Sequence, residues 1–143
     1  RVDRRQRQMC IRDRFTTVIF LDWDFKQKGV ETMVNESSWT KEREIPLRNQ
    51  GSSYFINFTA AWCITCQVNE RVALTERTLK EFDKRNIKYF KADWTNRSDE
   101  IFQELKKYGR SGVPVYVFWN KNLEQPIILN EVLTEKYVME VTK

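Results

Sequence analysis

The chain has 143 residues, 41% of them hydrophobic and 13% aromatic, which is material for the core of one ordinary domain. Its net charge of +5 is unevenly spread: residues 1–14 hold six arginines against Asp3 and Asp13, so the remainder is nearly neutral and no nucleic-acid partner is expected. Histidine is absent, which excludes a Ser-His-Asp or Cys-His nucleophile, a histidine general base and most transition-metal sites.

Residues 1–14 show neither a helical nor a strand period and no turn chemistry. The segment resembles a translated sequencing-adapter scar; the alternative is a basic, disordered tail. On either reading Cys10 is a poor candidate for chemistry. Residues 15–38 begin with a strand-like run, Phe15 to Leu21, then turn polar, and are read as a linker or the remnant of an upstream region. Val18-Ile19-Phe20-Leu21 is too short for the apolar part of a signal peptide, and no run of 18 apolar residues exists to span a membrane.

From residue 39 onward the pattern is that of a domain, 39–143. The turn cluster Asn49 to Ser53 precedes a β-favouring run, Tyr54 to Thr59, expected to be a central strand. Val68, Val72, Leu79 and Phe82 then recur at helical spacings, predicting an amphipathic helix with a break near Leu74-Thr75. Ile87 to Asp93 reads as a second strand. Ser98 followed by Ile101, Phe102, Leu105 and Tyr108 reads as a capped helix ending at Gly109. Val113 to Trp119 is a third strand with Pro114 at its mouth, and Asn120-Lys121-Asn122 turns it into an antiparallel fourth, Pro126 to Leu129. Leu133, Tyr137, Val138 and Val141 mark a closing helix. The order β-α-β-α-β-β-α predicts an α/β fold, a mixed central sheet with helices on both faces.

The chemistry lies where the first strand meets the first helix, in Trp62-Cys63-Ile64-Thr65-Cys66. Two cysteines separated by two residues on a first helical turn can close a small disulfide ring. The first sits at the helix N-terminus, where unpaired amides and the helix dipole favour the thiolate and lower such thiol pKa values to about 3.5–7.5. Cys63 is therefore the expected nucleophile. Cys66, one turn in, is expected to be more buried and to resolve the mixed disulfide. This chemistry requires no cofactor and no metal, and the zinc alternative lacks ligands, since only Cys10 remains in a chain without histidine. A structural disulfide is the other reading of the pair. Trp62 and Pro114 are candidate substrate-binding residues, together with Val113, whose backbone a cis proline would offer to an extended peptide; core packing and a strand-edge proline are their alternatives.

Three segments resemble the C-terminal, thioredoxin-like domain of the membrane thiol:disulfide interchange proteins, the DsbD type. They are Phe58 to Glu70, Lys91-Ala92-Asp93-Trp94-Thr95, and Tyr108 to Tyr116 with its Gly-Arg-Ser-Gly-Val-Pro core. The resemblance runs from about Trp39 to the end. It implies a thioredoxin-like fold with a cis Pro114, and a monomeric protein-disulfide reductase at the periplasmic face of a bacterial inner membrane. A transmembrane electron-donating domain, absent from this chain, would supply electrons, and envelope redox proteins of disulfide isomerisation and cytochrome c biogenesis would receive them. The chain would then be one excised module. Such proteins usually carry a buried Asp six residues before the first cysteine; here that residue is Asn57, which cannot ionise. Glu70 matches an acidic residue of the family near the site and would tune the cysteine pKa values, unless it is merely a solvated helix charge. Alternative functions are a disulfide oxidase or isomerase, and a non-catalytic thioredoxin-like binding module.

Overall fold

The computed structural model describes residues 36–143; the tail, Cys10 and most of the linker lie outside the described residues. In chain order the elements are β1 (Glu36–Ser38), α1 (Lys41–Asn49), β2 (Tyr54–Thr59), α2 (Ile64–Val72), α3 (Glu76–Lys84), β3 (Lys88–Asp93), α4 (Asp99–Lys107), β4 (Val115–Trp119), β5 (Ile127–Ile128) and α5 (Glu135–Val141). The sheet runs β1-β3-β2-β4-β5. β1 and β2 flank β3 in parallel, while β4 is antiparallel to both β2 and β5.

All six residues of β2 are buried, because both faces of this central strand are covered. Alternation along the strand sorts its side chains. Tyr54, Ile56 and Phe58 join Phe90, Ala92, Val115, Val117, Ile101 and Leu105 on the face covered by α1 and α4. Phe55 packs with Phe82, Tyr89, Tyr116, Phe118, Leu133 and Val138 on the other, under α3 and α5. Asn57 and Thr59 share the parity of Phe55 and so point toward the helix that follows β2.

The expected helix after the cysteines is two helices. Ala73, Leu74 and Thr75 separate them, and Thr75 Oγ1 caps α3 by accepting from the amide of Thr78 at 3.4 Å. Leu79 and Phe82 face the core as their spacing predicted. Val68 and Val72 do not. They are half-exposed, and the residues α2 buries are Cys66 and Asn69. The apolar period of α2 thus marks its outer face, because its inner face is a polar and sulfur seam.

β1 and α1 precede the expected first strand. β1 takes Glu36–Ser38 from the stretch read as linker and pairs it with Tyr89 to Lys91. α1 carries Pro46 in its interior and buries one of its residues, Glu44, so it offers no apolar period and a proline argues against a helix. Glu44 nevertheless anchors it. Its carboxylate accepts from Trp39 Nε1 at 2.9 Å and from the Tyr54 hydroxyl at 3.0 Å. Four described residues have positive φ, Asn86 (55°), Arg97 (53°) and two glycines that follow a helix, Gly51 (71°) and Gly109 (70°), the last being the helix stop expected there.

Three tyrosines have their ionisation pushed upward by burial. For Tyr54 and Tyr108 the neighbouring Glu44 carboxylate adds to the effect, and Tyr116 is pushed up to about 12. These phenols are neutral in the fold, whereas in the unfolded chain they release protons near the ordinary value of about 10. The stability that follows is complete below pH 10 and falls as pH rises from there toward 12. A denaturant series at stepped pH, followed by phenolate absorbance, should show these tyrosines ionising together with unfolding rather than ahead of it.

Candidate active site

The turn from β2 to α2 places Cys63 as the N-cap residue of the helix, with extended backbone (φ −88°, ψ 101°). Its sulfur acts as the cap: the amide of Cys66 donates to Cys63 Sγ at 3.2 Å. A sulfur atom thereby occupies the position where an N-cap side chain normally accepts from a free first-turn amide. Cys63 and Cys66 form a disulfide with their Cα atoms 5.3 Å apart. Cys66 is fully buried, and Cys63 is the more exposed of the two at 7%.

Around this pair the chain is held by contacts from three other segments. Ala60 and the partly buried Val113 pack on the two cysteines. The Val113–Pro114 peptide is cis, which sets Val113 at the mouth of β4 beside the sulfurs. The loop before Cys63 is latched to the loop after β3: the amide of Ala61 donates to Thr95 Oγ1 at 2.9 Å, and Trp62 Nε1 donates to the Thr95 carbonyl at 3.3 Å. Thr95 is itself fixed by Asp93, whose Oδ1 accepts from both its amide and its hydroxyl. Gln67 closes the latch from the helix side, donating to the Ala61 carbonyl at 2.6 Å. Trp62, half-exposed, lies under the guanidinium of Arg97 at 5.4 Å and against Trp94.

Beneath α2 lies a layer of buried polar groups. Asn57 Nδ2 donates to Glu70 Oε1 at 3.1 Å and to the Tyr89 hydroxyl at 2.9 Å. Lys91 Nζ lies 3.3 Å from Glu70 Oε1. Glu70 is therefore not a solvated helix charge; it is tied to two strands, β2 and β3, one turn beyond Cys66. One position earlier on the helix, Asn69 Nδ2 donates to the Tyr116 hydroxyl at 2.8 Å and to the Glu131 carbonyl at 2.7 Å, while its Oδ1 accepts from the amide of Leu133 at 3.1 Å. Arg110 joins the same loop from the segment before Pro114, 3.1 Å from Glu131 Oε1.

The site residues expected from sequence are thus brought to one end of the sheet: Cys63, Cys66, Trp62 and Val113–Pro114 around the disulfide, and Glu70 below it. Asn69, Lys91 and Thr95 were not singled out. Thr95 and Lys91 lie in the Lys-Ala-Asp-Trp-Thr segment that carried the family resemblance, so a signal was present. Asn69 lies in another resembling segment, Phe58 to Glu70, but a polar residue on a helix whose apolar period runs through Val68 and Val72 reads as solvent-facing. Among the described residues no three His, Cys, Asp or Glu side chains converge to hold a metal.

Residues 36–121 match the family model described as Thioredoxin-like. The chain belongs to the thioredoxin-like family. No curated protein matches it. Among solved structures it is similar to the DsbD C-terminal domain of Neisseria meningitidis. For the oxidised form the identity is 19%, with 74% of this chain and 96% of that one covered and a TM-score of 0.58. For the reduced form the identity is 20%, the coverage 69% and 86%, and the TM-score 0.56. Chloroplastic thioredoxin z is alike to the same degree, 22% identical over 76% of this chain and 90% of that one, with a TM-score of 0.57. At such identities the likeness is one of fold: the thioredoxin-like architecture of a five-stranded mixed sheet with helices on both faces.

Asn69 joins α2 to β4 and to the loop before α5 through three hydrogen bonds. Asn69→Ala leaves the Leu133 amide and the Glu131 carbonyl without their partner, and should cost about 2–4 kcal/mol of stability. Urea unfolding with an unchanged m-value checks the magnitude.

Proposed function

We propose that this chain is a thiol-disulfide oxidoreductase that works as a protein-disulfide reductase. The observation that carries the reading is the amide of Cys66 pointing at Cys63 Sγ from the first turn of α2. In the reduced protein that amide and the helix dipole favour a thiolate on Cys63, the form that attacks disulfides. The thiolate attacks one sulfur of a partner disulfide, the partner's other sulfur leaves as a thiolate, and a mixed disulfide to Cys63 remains. Cys66 then loses its proton and attacks Cys63 Sγ, the Cys63–Cys66 bond forms, and the second partner sulfur leaves as a thiolate. The partner has gained two electrons and takes up two protons; a donor dithiol returns them to Cys63 and Cys66.

Trp62, Val113 and Pro114 form the substrate-binding rim of this reading. Trp62 offers an exposed aromatic surface beside the reacting sulfur, and Val113 offers backbone to an extended peptide. Glu70, bound to Asn57 and Lys91 one turn from Cys66, tunes the cysteine pKa values. The DsbD-type resemblance of the motif segments extends the proposal to setting: a module at the periplasmic face of an inner membrane, taking electrons from a transmembrane domain and giving them to envelope proteins. It acts as a monomer on protein disulfides.

Insulin reduction with dithiothreitol as electron donor tests the reading. Turnover is expected for the natural chain and should vanish in Cys63→Ser, while Cys66→Ala should accumulate mixed disulfides. Cys63 alkylated no faster than a free thiol at neutral pH, together with silent turnover, overturns it. Glu70→Gln should move the thiolate titration of the pair, followed by ultraviolet absorbance; an unchanged titration removes Glu70 from the chemistry.

A further inference from the structure

Asn57 is completely buried in the middle of β2, and its amide is only half used. Both protons of Nδ2 have acceptors, Glu70 Oε1 and the Tyr89 hydroxyl, while Oδ1 is buried and has no donor. Reversing the amide does not relieve this, because it would set Oδ1 against Glu70 Oε1, one acceptor facing another. A buried acceptor without a partner loses its solvation and gains nothing in return, so an orphan at the centre of a sheet calls for a reason.

The reason lies in what faces it. Asn57 has the same parity on β2 as Phe55 and Thr59, so its side chain points to the α2 side of the sheet. Its hydrogen bond to Glu70 places it under the inner face of α2, and Cys66, four residues before Glu70 and fully buried, lies on that face one turn closer to the sulfurs. In this structure Cys66 is in a disulfide and carries no proton. Reduction breaks the S–S bond with two electrons and two protons from a donor dithiol, and the second sulfur becomes an S–H group. The one donor that the oxidised site lacks is thus the one that reduction creates.

We infer that Asn57 Oδ1 accepts a hydrogen bond from the Cys66 thiol in the reduced protein. This rests on the reductase reading only in taking the Cys63/Cys66 pair to cycle. Asn57 is then a positioning residue with a redox-dependent contact: unsatisfied in the disulfide form and satisfied in the dithiol form. It favours the reduced state and holds Cys66 protonated until Cys63 has been captured by a partner. An Asn performs this without ionising, so the contact does not titrate.

Three measurements test the inference, all with Cys10→Ser in place so that no third thiol intrudes. Equilibration with glutathione should show Asn57→Ala shifted toward the oxidised form by about fivefold, which is roughly 20 mV toward stronger reducing power. Denaturation of each form should show the reduced protein losing more stability than the oxidised one by the same factor. The third measurement needs no Asn57 variant. In Cys10→Ser/Cys63→Ser, Cys66 is the sole thiol, and its infrared S–H stretch should lie lower in the folded protein than in urea. An equilibrium unchanged within twofold, or an S–H band identical in folded and unfolded protein, overturns the inference. Silent insulin turnover alongside a shifted equilibrium and band would overturn the reductase reading and leave this one standing.

Discussion

The whole site depends on where one helix begins. β2 ends at Thr59, the chain turns over Ala60 and Ala61, and α2 starts at Ile64 with Cys63 as its cap. An oxygen-bearing cap residue would satisfy the free amides and do nothing more. On the proposed reading, the reduced sulfur in the same place is stabilised as an anion by the groups it caps, so a structural requirement of the helix and an electrostatic requirement of the nucleophile are met by a single contact. Everything else near the cysteines maintains that start point: the latch through Thr95, the packing of Val113, and the polar layer beneath.

That polar layer distinguishes α2 from α3 and α5. α3 and α5 meet the sheet through Phe82 and Val138, apolar contacts that tolerate small slips. α2 meets it through Asn57, Glu70 and Asn69, whose hydrogen bonds fix direction as well as distance. A helix that carries reacting sulfurs is better held by directional bonds, since a fraction of an ångström at its first turn decides whether the resolving attack is in line. The apolar residues of α2, Ile64, Val68 and Val72, are left on the outside as a result.

Much of this was legible in the sequence. The central strand, the dithiol, the helix break, the closing hairpin and the proline at the mouth of β4 all follow from composition and spacing. What was illegible has physical causes. α1 is held by one buried carboxylate that binds Trp39 and Tyr54, an arrangement with no period to detect. The inner face of α2 was misassigned because helical periodicity presumes that the buried side is apolar, and here it is Cys66 and Asn69. Asn57 announced itself as a departure from the family pattern, but the acceptors of its amide belong to residues 13 and 32 positions away, which no local pattern reveals.

The Thr95 latch separates two properties that are usually entangled. On the proposed reading, the electronics of the sulfur pair are set by α2 and the strands below it, whereas the stance of Trp62, and so the surface offered to a partner protein, is set by a hydroxyl and a carbonyl some thirty residues further along. Drift in the short connection after β3 can therefore alter which proteins are recognised while the redox couple stays as it was. One fold of this kind can serve a succession of partners, with discrimination evolving in one loop and reactivity conserved in another.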